Sequence, residues 1–174
     1  MATYFSNLIG GDGTTDTVIE VGKRPAPGQY GTQLKIARAF AIITPAAADV
    51  IRYMTLPSGV RIHHVYWFST DSGTTGLWDL GCHKAGAAHD GAVIDADLFA
   101  SLLDTGAGAI ARTDQFLESA TFAEVDRGKY FWQLAGLGAA TLTTDPFEDW
   151  DITATVSTST GPASTTSGVE VWYS

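Results

Sequence analysis

The stretch that most constrains this chain is residues 49–69, DVIRYMTLPSGVRIHHVYWFS. Two runs rich in Val, Ile, Tyr, Trp and Phe flank Pro57-Ser58-Gly59. β-Branched and aromatic side chains suit a pleated, half-buried surface. Proline sets φ, and glycine takes conformations that other residues avoid, so the residues between the runs read as a tight turn. The pattern predicts strands over 49–55 and 60–69. In the second, Val60, Ile62, His64, Tyr66 and Phe68 share one face, and Arg61, His63, Val65 and Trp67 share the other. Neither face is wholly polar, which predicts cover on both sides.

Other strands follow the same logic. Residues 34–43, LKIARAFAII, form a first core strand that ends at Thr44-Pro45, with 46–48 as a short alanine connector. The turn 70–76, TDSGTTG, leads into a strand at 77–84, LWDLGCHK, and 85–91 is a loop. Residues 116–123 read as a further strand. Two strands close the chain, 150–157 and 168–173, joined by the Ser/Thr/Gly-rich 158–168 as a hairpin-like loop. Within 150–157, Ile152, Ala154 and Val156 alternate with Asp151, Thr153 and Thr155, the period of a strand.

Two segments read as helices. In 95–104, Leu98, Phe99, Leu102 and Leu103 fall at helical spacing behind Asp95 as N-cap, and Gly106-Ala107-Gly108 ends the run. In 127–138, Phe131, Trp132 and Leu134 cluster on one side, with Gly136 placed as a C′ glycine, and the aromatics leave a strand as the competing reading. Residues 1–33 have no sustained period. Gly10-Gly11-Asp12-Gly13 and Arg24-Pro25-Ala26-Pro27-Gly28 break them into turns, with one short strand possible around Val18, Ile19 and Val21. They read as an extended N-terminal arm, and 34–174 as the globular domain. Short strands with polar turns, small helices kept in loops and a terminal strand predict an all-β, antiparallel, jelly-roll-like β-sandwich.

Charge narrows the function. The 174 residues carry a formal net charge of −9, which argues against nonspecific nucleic-acid binding. Residues 1–61 hold six basic and four acidic residues, net +2, and the remainder four against fifteen, net −11. Acidic blocks of this kind are usually solvated faces; the alternative is that the basic N-terminal part touches an acidic partner. Charged residues are only 17% of the chain, below the usual ~25%, which fits equally a surface that faces another protein and one made polar by Thr, Ser and Gly. Cys82 is alone, so no intramolecular disulfide forms. No apolar run reaches the length of a membrane span, and the start lacks a signal-peptide pattern, so synthesis is expected in a cytoplasm.

Chemistry is sparse. Gly-x-Ser-x-Gly, His-Glu-x-x-His and Walker-type motifs are absent from the sequence, and no enzyme activity or cofactor is expected. His63 and His64 are neighbours on a strand and point to opposite faces. A metal site from His83, His89 and Asp90 is conceivable, but rim histidines are the plainer reading. The carboxylate pairs Asp95/Asp97 and Glu148/Asp149/Asp151 are what any acidic chain offers, and 145–151 only loosely resembles a calcium loop. Five tryptophans are more informative. Trp67, Trp78 and Trp172 are candidates for an oligomer or partner surface, with core positions or a sugar-stacking platform as the alternatives.

Several motifs, in order, resemble a family of tailed-phage head proteins. Ala48-Asp49-Val50-Ile51 is followed by Leu56-Pro57-Ser58-Gly59-Val60, then Gly81 beyond a Ser/Thr/Gly turn. Trp132-Gln-Leu-Ala-Gly136-Leu, Asp151-Ile-Thr-Ala-Thr155 and Gly168-Val-Glu-Val-Trp-Tyr173 complete the set. They are similar to segments of capsid cement, or decoration, proteins. The resemblance spans 34–174 and departs at the long start and at the 85–115 insertion. It implies a jelly-roll-like sandwich on the outer surface of the head, often as a homotrimer, bridging neighbouring major capsid protein subunits; the charge and the lack of a span add the expectation of no nucleic acid or membrane partner. The arm, with Lys23, Arg24, Pro25, Pro27 and Tyr30, would then lie on the capsid. A virion receptor- or glycan-binding β-sandwich is the second hypothesis, and it expects exposed tryptophan.

Overall fold

The computed structural model describes residues 3–5, 34–117, 122–137, 142–162 and 164–174. The strands are β1 (Thr3–Phe5), β2 (Lys35–Ile43), β3 (Val50–Pro57), β4 (Ile62–Ser69), β5 (Gly73–Lys84), β6 (Val93–Asp104), β7 (Ile110–Asp114), β8 (Asp149–Pro162) and β9 (Thr165–Tyr173). A 3₁₀ turn, Glu124–Asp126, and one α-helix, α1 (Phe131–Leu137), lie between β7 and β8. Among the described residues no helix is long and apolar enough to cross a membrane.

The strands form two sheets, ordered β1-β3-β8-β5-β6 and β2-β9-β4-β7. Successive strands change sheet at every connection from β2 to β9 except the β5–β6 hairpin. Eight strands wound this way make a jelly roll, as the sequence predicts. Pairing is antiparallel throughout except for β1, which runs parallel to β3, Thr3 opposite Val50. The rest of the expected arm lies outside the described residues, including the possible strand at 18–21.

The topology changes the meaning of two turns. Pro57-Ser58-Gly59 does not close a paired hairpin: β3 pairs with β8, whereas β4 pairs with β9 and β7. The turn carries the chain across the sandwich. Likewise 158–168 is not a hairpin-like loop, because β8 runs to Pro162, β9 starts at Thr165, and the two lie in different sheets.

Both sheets turn one face inward onto a single core. Trp67 and Trp78 meet there with ring centroids 5.8 Å apart, and Phe99, Phe116, Phe122, Phe131 and Trp150 continue the aromatic packing. Tyr53 on β3 donates to Ser167 Oγ on β9 at 2.7 Å, a polar link between the sheets. The register of β4 shifts between Ile62 and His64. Ile62 is buried ahead of the shift and Val65, Trp67 and Ser69 after it, so the expected division of faces holds only on one side of the irregularity.

The helix expected at 95–104 is a strand. Residues 93–104 pair with β5 along their length, but the register breaks at three places. Leu98, Phe99 and Ala100 are all buried, and Leu102 has a φ of 54°. Bulges disrupt the two-residue period, and the resulting apolar spacing imitates a helix. The strand expected at 116–123 is absent at 115–117 and 122–123, and 118–121 lie outside the described residues. The strand in this region is Ile110–Asp114, a largely exposed edge whose two charges hide it. The second expected helix, 127–138, forms only over Phe131–Leu137: 127–128 are a turn and Tyr130 bridges to Arg61, and the ending differs too. Gly136 lies inside its last turn, and a Cβ there would be 2.8 Å from the Leu142 carbonyl oxygen. Glycine is needed for close approach rather than as a stop.

Candidate functional site

One end of the sandwich is built on the β3–β4 turn. The first helical amides of α1 have no partners within the helix, and this turn supplies them: Phe131 N donates to Val60 O at 2.7 Å and Trp132 N to Ser58 O at 3.1 Å. Gln133 Oε1 accepts from Tyr130 N at 3.1 Å, closing the helix start. The loop before β8 joins the same point. Ser58 Oγ donates to Asp145 Oδ1 at 2.5 Å and accepts from Glu148 N at 3.2 Å, while Ser58 N donates to Glu148 O at 2.8 Å. Lys84 reaches Glu148 at 2.9 Å. The lysine hydrogen bond holds the Glu148 carboxyl below its ordinary pKa despite partial burial.

A second cluster lies on the outward face of the five-stranded sheet, beneath the β5–β6 loop. Arg52 Nη1 donates to Asp151 Oδ2 at 2.9 Å and to Lys84 O at 3.0 Å, and Nη2 to Gly91 O at 2.8 Å. Thr55 Oγ1 donates to Asp151 Oδ1 at 2.6 Å. His89 Nδ1 lies 3.1 Å from Asp151 Oδ2. The β5–β6 loop thus buries Asp151 and Thr153, which the alternation of β8 would leave facing out. His83 Nδ1 lies 2.9 Å from Thr153 Oγ1. Burial, helped by the Arg52 charge and opposed by Asp151, pushes the His83 pKa down to about 4. The Thr55 hydroxyl is bonded to a carboxylate rather than to an imidazole, so this arrangement fastens a loop and does not prime a nucleophile.

A third cluster occupies the outward face of the four-stranded sheet. Glu170 accepts from Arg38, Arg112 and the Trp172 indole. Burial pushes the Glu170 carboxyl up, but the bonds from Arg112, Trp172 and Arg38 leave it below the ordinary value. The Arg112 guanidinium lies 3.6 Å above the Tyr66 ring centroid, and His64, Tyr66 and Trp172 form an aromatic group. Along the edge strand β2, Ile36, Phe40 and Ile42 are exposed on this side.

The candidates from sequence are placed as follows. Lys23, Arg24, Pro25, Pro27 and Tyr30 lie outside the described residues. Trp67 and Trp78 are both 0% exposed. They fill the space between the sheets, so neither presents a surface to a partner. Trp172 is half-buried within the Glu170 cluster. His83 and His89 are buried rather than at the surface or rim: His83 packs against Thr153 on β8, and His89, within the β5–β6 loop, turns in to Asp151. They face different β8 residues, and Asp90 is exposed beside Gly86. Among the described residues no group of three His, Cys, Asp or Glu side chains is placed to hold a metal ion. Asp145, Glu148 and Asp151 diverge to Ser58, Lys84 and Arg52. Asp97 shares a hydrogen bond with the Asp95 carboxyl, which with burial raises its pKa. Sequence reasoning did not find Arg52, whose partner Asp151 is 99 residues away.

The fold and these clusters define a jelly-roll sandwich with two polar-patterned outer faces and one braced end. No family model matches the chain, and no curated protein does. Two solved structures resemble it. A chain from the capsid of Ralstonia phage GP4 is 17% identical and covers 99% of this chain and 97% of that one, with a TM-score of 0.58. A chain from the cyanophage Pam1 capsid asymmetric unit is 18% identical and covers 87% and 91%, with a TM-score of 0.48. The likeness to the GP4 chain is one of fold.

Proposed function

We propose that this chain is a capsid cement, or decoration, protein of a tailed phage. It binds the outer surface of the head and stabilises contacts between major capsid protein subunits. The observation that best supports the reading is the jelly-roll likeness, along nearly its whole length, to a chain from a phage capsid. The order of motifs that resembles the cement family points the same way. The role is structural and involves no reaction.

In this reading residues 1–33 form an arm on the capsid, with Lys23, Arg24, Pro25, Pro27 and Tyr30 in contact, and 34–174 form the sandwich that assembles as a homotrimer. Trp172 and the aromatic group around it remain candidates for a partner surface. Cement needs large buried area from many modest contacts, and symmetric copies add avidity. The glycan-binding alternative loses Trp67 and Trp78 as a platform, because both are in the core.

The test is co-sedimentation of the purified protein with expanded phage heads that lack it. Saturation at a copy number set by icosahedral symmetry is expected. A folded protein that leaves the heads bare would overturn the proposal.

A further inference from the structure

The loop that enters β8 ends in Asp145-Pro146-Phe147-Glu148. Phe147 is 91% exposed, the most exposed large apolar side chain among the described residues. Its backbone φ is 54°, a left-handed conformation that a bulky L-residue adopts only at a cost, whereas Gly or Asn take it readily. The fold therefore gains neither burial nor backbone ease from a phenyl ring at this position.

The ring is nevertheless held on a rigid mount. Asp145 Oδ1 accepts from Phe147 N at 2.9 Å and from Ser58 Oγ at 2.5 Å. Glu148, the next residue, is bonded to Ser58 through both its N–H and its carbonyl. A Cβ on Gly59 would be 2.8 Å from Asp145 Oδ2, so the β3–β4 turn is shaped around this loop. An aromatic side chain displayed on an ordered backbone loses little freedom on binding, and such side chains dominate interface energetics.

The flanking charge indicates the kind of partner. Asp145, Glu148 and Asp149 flank the position in sequence, and Lys84 pairs with Glu148. A second copy of this chain, itself at −9 with the same acidic flank, is a poor match. A different protein with a basic rim is a good one. We propose that Phe147 is an anchor that inserts into an apolar, Lys/Arg-rimmed pocket on a protein subunit of the head lattice. This rests on the cement reading.

The test compares wild type with Phe147→Asn for binding to heads that lack the protein, alongside thermal unfolding and sedimentation of the free protein. Wild type should saturate the heads. Phe147→Asn should bind at least about tenfold more weakly, with an unchanged or higher Tm and an unchanged oligomeric state. Equal binding by the variant would overturn the anchor and leave the cement reading intact. A lower Tm would assign the ring to folding, and an altered oligomeric state would assign it to self-association; either overturns the anchor. Wild type that fails to bind heads would remove both proposals together.

Discussion

Arg52 and Asp151 form a buried ion pair at 2.9 Å that ties the second strand of one sheet to its neighbour and to the loop above them. The side chains are 5% and 0% exposed, so each charge depends on the other for stabilisation. Burial of a lone charge is costly, and losing one member of such a pair typically destabilises by about 3–5 kcal/mol. Arg52→Ala should fall in that range by urea unfolding. Replacing both residues, as Arg52→Met with Asp151→Leu, should recover part of the loss, because no uncompensated charge remains. A cost below about 1 kcal/mol for Arg52→Ala would show that water reaches Asp151 and the loop is not fastened as described.

His83 links stability to pH. Burial and the Arg52 charge lower its pKa from 6.5 to about 4. The unfolded chain therefore binds a proton near pH 6.5 that the folded chain refuses until about pH 4. Between those values the unfolded state holds more protons, so stability rises with pH. The contribution is complete above about 6.5 and is lost as pH falls to about 4. His83→Gln should flatten this part of the profile. Identical slopes for wild type and variant in urea titrations across that window would rule the residue out as the source.

Gly81 marks where β5 and β6 press backbone against backbone. A Cβ there would overlap the Asp95 carbonyl oxygen and reach the Ala96 carbonyl group at 2.5 Å. Neither neighbour is the free end of a flexible side chain. Gly81→Ala should cost about 3 kcal/mol or more, at the upper end of overpacking effects. Thermal unfolding within a degree or two of wild type would mean that β6 can shift away.

Deleting residues 1–30 tests the arm. The truncated protein should keep its cooperative unfolding transition and bind heads more weakly than the full chain. The β1–β3 pairing makes a modest loss of stability compatible with this outcome, since the deletion takes Thr3–Phe5 out of the sheet. Equal head binding by the truncated and full-length proteins would sink the arm assignment.

Much of the architecture was legible in the sequence because strand formation leaves a local imprint. The cores of β2, β3, β4, β5, β8 and β9 stand where β-branched and aromatic runs predicted them, and α1 stands where Phe131, Trp132 and Leu134 cluster. β6 was misread because its register breaks give Leu98, Phe99, Leu102 and Leu103 a helix-like spacing. β7 went unread because an exposed edge strand needs no apolar face. At the candidate sites, Ser58 and Gly59 were visible as turn residues, but their role in mounting Phe147 was not. That role depends on Asp145, which is 87 residues from Ser58.

By itself, then, the sequence determined that the chain is all-β, where the cores of six strands lie, and that its terminal strand belongs to a sheet. Those are consequences of which neighbouring residues can share a buried face. The tertiary structure alone decided which strands pair, that the Pro57-Ser58-Gly59 turn crosses between sheets, and that Trp67 and Trp78 face each other inside. It alone placed Asp151 beneath a loop and left Phe147 in solvent. The physical reason is that local pattern records a preference for burial but not the partner that provides it. Here the partners come from strands far apart in the chain, brought together only when the two sheets close on one core.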